Sequence, residues 1–79
     1  MKKRTKKKTA FALCIDNDGY AASLERHKVY RIIPDDDAER HGDLRIVDES
    51  GEDYLFSAKR FVVVELPPRA KRALAATTS

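Results

Sequence analysis

The strand-forming residues of this 79-residue chain come in short runs separated by turn formers, which limits what it can fold into more than any other feature. The longest apolar run, residues 10–15, has six members. Within it Phe11, Leu13 and Ile15 alternate with Ala12 and Cys14, the period of a half-buried strand. Asp16-Asn17-Asp18-Gly19 then supplies a turn, because Asp and Asn bond to nearby backbone and Gly accepts positive φ. Residues 20–28 read as a long excursion with Leu24 as its core candidate. Residues 29–33 are β-branched and aromatic, a second strand in which Arg31 implies that Tyr30 and Ile32 face inward, although Val29 and Ile33 leave the register open.

Pro34 ends that strand. The acidic connector that follows suits one helical turn capped by Asp35 and left through Gly42. Residues 44–47 form a third strand, and residues 48–53 a hairpin loop with Gly51 available for positive φ. Tyr54-Leu55-Phe56 resumes the strand texture, residues 57–60 fit a single 3₁₀ turn, and residues 61–66 form a fifth strand stopped by Pro67-Pro68. Tyr30, Tyr54 and Phe61 are assigned to core packing, and Tyr20 is the aromatic expected to be exposed.

This order predicts an all-β domain, a small five-stranded SH3-like barrel over residues 10–66. A disordered basic tail over residues 1–9 precedes it, and a flexible or partly helical tail over residues 67–79 follows. Closure is favoured because a small open sheet leaves edges that template aggregation. An OB-fold fits less well, having no helix candidate between strands three and four, and another small antiparallel β fold is the remaining alternative.

The segments Cys14-Ile15-Asp16-Asn17, Ser23-Leu24, Lys28-Val29-Tyr30, Asp48-Glu49-Ser50-Gly51-Glu52-Asp53-Tyr54 and Arg60-Phe61 resemble, in order, a family of short bacterial and phage proteins largely without assigned function. The likeness spans residues 11–66 and implies an SH3-like barrel; none of its elements is a catalytic motif. This chain departs from the pattern at His27, where a Gly often precedes Lys-Val-Tyr, and in its longer basic tail.

Charge is divided unevenly. Residues 1–9 carry six cations and no acid, residues 10–66 carry all thirteen acids against seven cations, and Arg69, Lys71 and Arg72 follow. The overall +3 is thus a cancellation between a −6 body and basic ends. Lys2, Lys3, Arg4, Lys6, Lys7 and Lys8 are candidate nucleic-acid contacts, since clustered cations on a flexible segment release phosphate counterions. Nonspecific nucleic acid or ribosomal RNA would be the partner. The acidic body repels phosphate and suits a protein partner, with Tyr20, Asp35, Asp36 and Asp37 as candidate contacts.

Catalysis and cofactors find little support. Cys14 sits mid-strand among apolar neighbours, where a thiol is inert, and being single it forms no intramolecular disulfide. A calcium loop begun at Asp16 meets Ala21 and His27 at its sixth and twelfth positions, and one begun at Asp35 meets Arg40 at its sixth. His27 and His41 lie on separate connectors without a nucleophile elbow. The chain lacks Trp and the proline-tyrosine pair that mark peptide-binding SH3 domains. The expectation is a non-enzymatic, monomeric binding module with no metal, cofactor or small-molecule ligand. A cytoplasmic location follows, because the apolar run is too short for a signal core, Leu13 precedes Cys14 where a small residue is needed, and no run nears the ~20 residues of a membrane span.

Overall fold

The computed structural model describes residues 10–77, with side chains through Leu74. The basic segment 1–9, expected to be disordered, lies outside the described residues. Five strands form one antiparallel sheet: β1 (Ala10–Cys14), β2 (Val29–Ile33), β3 (Asp43–Val47), β4 (Asp53–Ser57) and β5 (Phe61–Val64), in the order β4-β3-β2-β1-β5. A short helix α1 (Asp36–Arg40) fills the acidic connector, a 3₁₀ turn (Ala58–Arg60) links β4 to β5, and a second helix α2 (Pro68–Thr77) follows the double proline.

The local signals behave as their chemistry requires. Asp35 Oδ1 accepts the Ala38 backbone N–H at 3.0 Å and caps α1, whose buried Ala38 faces the body. Tyr30 and Ile32 face the core, while Val29, Arg31 and Ile33 lie on the opposite face.

The predicted closure into a barrel does not occur: the sheet is open, with β4 and β5 as its edges. Phe56 and Phe61, one from each edge strand, meet edge-to-face with ring centroids 6.2 Å apart. Side chains therefore fill the space between the edges, where a ladder would need the two backbones ~4.8 Å apart.

The core cluster contains Ala12, Cys14, Leu24, Tyr30, Ile32, Leu44, Ile46, Phe56 and Phe61. Strand β1 thus turns its small side chains inward, because aromatic rings from β2, β4 and β5 already occupy the core. Phe11 lies on the other face, opposite Arg31, yet is only 2% exposed. Leu74 of α2 lines one cavity with Phe11, while Val62 on the same face is 48% exposed. Tyr54 corrects the expected core list. It is paired with Ile46, but on an edge strand, and is 49% exposed.

The β1–β2 ladder ends in a bulge. His27 N donates to the Cys14 carbonyl at 2.7 Å and Cys14 N donates to the Lys28 carbonyl at 2.9 Å, so two residues oppose one. Lys28 N also donates to the Glu25 carbonyl at 3.3 Å, making His27 the third residue of a four-residue turn, and its φ is 74°. Type II turns reserve that position for Gly or Asn. His27 thus holds, with a Cβ, a conformation that ordinarily falls to glycine.

Candidate functional site

Residues of the segments 23–30 and 48–50 meet at one end of the sheet, where they join the long first loop to the β3–β4 hairpin. Glu49 N donates to the Ser23 carbonyl at 3.0 Å. Its carboxylate oxygen Oε2 accepts Lys28 Nζ at 2.7 Å and the Tyr30 hydroxyl, which in turn accepts the Glu25 backbone N–H at 2.7 Å. Lys28 and then Tyr30 hold the Glu49 carboxyl below the usual carboxylate range. Burial, followed by the bond to Glu49, pushes the Tyr30 hydroxyl well above an ordinary phenol. Asp48 is 6% exposed and organises the hairpin, its Oδ1 accepting Ser50 N at 2.9 Å and Ser50 Oγ at 2.5 Å. These polar residues are committed to one another and form a latch.

The latch positions a groove of about 370 Å³ whose walls include Tyr20, Ser23, Ser50, Tyr54, Leu55 and Phe56. Tyr20 is anchored from both sides: its N–H donates to the Asn17 carbonyl at 2.8 Å, and its own carbonyl accepts Leu24 N at 2.8 Å. Its ring meets Phe56 edge-on with centroids 5.2 Å apart and is 43% exposed. The Arg60 guanidinium lies over that ring, 4.6 Å from its centroid, and Arg60 Nη1 also donates to the Asp18 carbonyl at 3.0 Å and pairs with Asp16 at 3.4 Å. Tyr54 is steadied through its hydroxyl, which donates to Glu52 Oε1 at 2.9 Å. That carboxylate raises the Tyr54 hydroxyl above its ordinary value. Chemically, the groove offers two tyrosine faces beside carboxylates, which suits a cationic or amphipathic side chain.

The acidic triplet occupies a different corner. Asp35 caps α1 with one oxygen and accepts Arg45 Nε at 2.9 Å with the other; the Ala38 N–H first, then Arg45, hold its carboxyl below the usual range. Arg45 reaches on to Asp53 at 3.0 Å, so it ties the connector to β4. Asp36 and Asp37 are exposed, and Asp37 pairs with Arg40 at 2.9 Å on the surface. No hydrogen bond, ion pair or ring contact among the described residues joins this triplet to Tyr20. The candidate contacts Lys2, Lys3, Arg4, Lys6, Lys7 and Lys8 lie outside the described residues.

Cys14 is buried, with its Sγ 3.7 Å from the Asp16 carbonyl, and His41 Nδ1 is 2.8 Å from the Asp37 carbonyl. Among the described residues, no cluster of His, Cys, Asp and Glu is arranged to hold a metal ion, and no helix is long and apolar enough to cross a membrane. Sequence reasoning found Tyr20 but missed Tyr54 and Leu55, since only the strand order shows that β4 is an edge. Comparison with family models, curated proteins and solved structures finds no match.

Proposed function

We propose that this chain is a non-catalytic binding module, SH3-like in its strand succession, whose acidic body takes a basic segment of a protein partner in the groove between the first loop and β4. The supporting observation is the Tyr20 ring, exposed at the mouth of the groove and already covered on one side by the Arg60 guanidinium. A platform that accepts one guanidinium, on a body of net charge −6 over residues 10–66, favours another arginine from outside. The family resemblance accommodates this reading, because the motif supplies the latch and the groove residues Ser23, Ser50 and Tyr54, while Tyr20, Leu55 and Phe56 lie outside it. Asp36 and Asp37 add long-range attraction to the same class of partner and act on its association rate.

The test is an amide-shift titration with a nine-residue Arg-Pro peptide and its Lys-Pro counterpart. Saturable shifts at Tyr20, Ser23 and Tyr54, stronger for arginine and weakened at least about fivefold by Tyr20→Ala, support the groove. Shifts scattered over every surface acid, unaffected by Tyr20→Ala, contradict it.

A second reading rests on the six cations of residues 1–9, which would contact nucleic acid. If all of them met duplex phosphates, log K against log[salt] would slope by about −5, and protein beginning at Thr9 would lose that dependence. Equal duplex and RNA-hairpin binding by the full and shortened chains removes this alternative.

A further inference from the structure

A cavity of about 410 Å³ lies beside Arg31 and Leu74 of α2 and shares Asp48 and Ser50 with the tyrosine groove. Its apolar side chains, Phe11 of β1, Val29 of β2, Val47 of β3 and Leu74 of α2, share the lining with Lys28, Tyr30 and residues 48–51. Arg31 stands among them on β2, an interior strand of the sheet, directly opposite Phe11. Its Nε is buried and has no hydrogen-bond partner among the described residues, and no ion pair among them involves its guanidinium. A buried donor without an acceptor is unfavourable wherever it occurs, and buried donors are ordinarily satisfied. The other charged groups at the rim are differently placed. Glu49 is bound by Lys28 and Tyr30, and Asp48 is turned onto Ser50.

From this arrangement we infer that the Arg31 cavity is a binding site for a small monocarboxylate with an apolar body. The guanidinium carries parallel N–H donors matched to the two oxygens of a carboxylate, and engaging the edge that includes the buried Nε requires the side chain to turn toward the cavity. The aliphatic and phenyl walls would take a hydrocarbon portion, and the volume lies in the ordinary small-molecule range of about 300–1,000 Å³. Asp48 and Glu49 at the rim disfavour a dianion such as phosphate by like-charge repulsion. In sequence Arg31 marks only the outward face of β2, and no small-molecule ligand is expected because a body this small seldom forms a cleft.

Octanoate is the probe, with acetate, octanol and inorganic phosphate as its comparisons, followed by the Arg31 side-chain Nε–H resonance and the amides of Val29 and Val47. The expected result is saturable binding of octanoate that moves the Arg31 Nε–H signal, with each comparison compound at least about tenfold weaker. Arg31→Gln should weaken octanoate at least about tenfold while the amide spectrum keeps its dispersion. Should Arg31→Gln fail to fold, Arg31→Lys keeps the charge but loses the paired donors, and the same loss is expected. Leu74→Ala should weaken octanoate and leave acetate unchanged. Octanol binding as well as octanoate, phosphate or acetate matching it, or undiminished octanoate binding by the Arg31 variants would each overturn the inference.

Discussion

Single side chains in this molecule do their work by satisfying one another. Glu49 accepts from Lys28 and Tyr30, while its own backbone N–H reaches Ser23, so one residue joins two loops and a strand. Replacing Tyr30 by Phe removes its bond to Glu49 and the one its hydroxyl accepts from Glu25 N–H, and should cost about 1–3 kcal/mol, read as a lowered urea midpoint with an unchanged slope. The pH dependence follows from the same contact. The Glu49 carboxyl is held below its unfolded value, so its contribution is present above the ordinary glutamate range near ~4.3 and is lost as pH falls through the lower folded value. Glu49→Gln should flatten the acid limb of stability against pH between neutrality and acid unfolding; an unchanged limb would show that Asp35, whose carboxyl is also lowered, dominates it. At His27, a positive φ of 74° strains a residue with a Cβ. His27→Gly should stabilise the chain by about 0.5–1 kcal/mol, the steric relief exceeding the added freedom of glycine in the unfolded chain.

Among the elements, β1 shows why part of the fold was legible and part was not. Its alternation identified a strand, and the turn at residues 16–19 identified its end. The choice of inward face depended on what other strands bring to the core, and Ala12 with Cys14 faces inward because three aromatic rings arrive from β2, β4 and β5. Alternation alone cannot rank two faces when both hold buried residues. The same limit applied to Tyr54: its residue type suits a core, but its exposure follows from the place of β4 at the sheet edge. Local chemistry travelled further. The Asp35 cap, the 3₁₀ turn at Ala58–Arg60 and the inward register of Tyr30 and Ile32 all follow from neighbouring residues. Phe11 is only 2% exposed and so behaves as a core residue, and Phe11→Ala should destabilise by about 3 kcal/mol or more in urea unfolding. A change under about 1 kcal/mol would mean that Phe11 is accessible to water.

At the scale of the whole molecule, the open sheet and the divided charge assign different tasks to different surfaces. The hairpin latch lines both the tyrosine groove, through Asp48 and Ser50, and the arginine cavity, which Leu74 of α2 also borders. The net charge of +3 hides a body of −6, so the proposed protein partner of the body and the alternative phosphate partner of residues 1–9 differ in charge, and salt would weaken both contacts. The groove was only half legible in the sequence: Tyr20 belongs to a loop whose composition announces exposure, whereas its opposing wall required the sheet order. Capture from the native cell, comparing wild-type bait with Tyr20→Ala bait after nuclease treatment at moderate salt, tests the central claim most directly. The predicted result is a protein partner held by the wild type, released at high salt and lost from the Tyr20→Ala bait. A partner retained equally by both baits, or recovery of nucleic acid alone before nuclease treatment, would contradict the account.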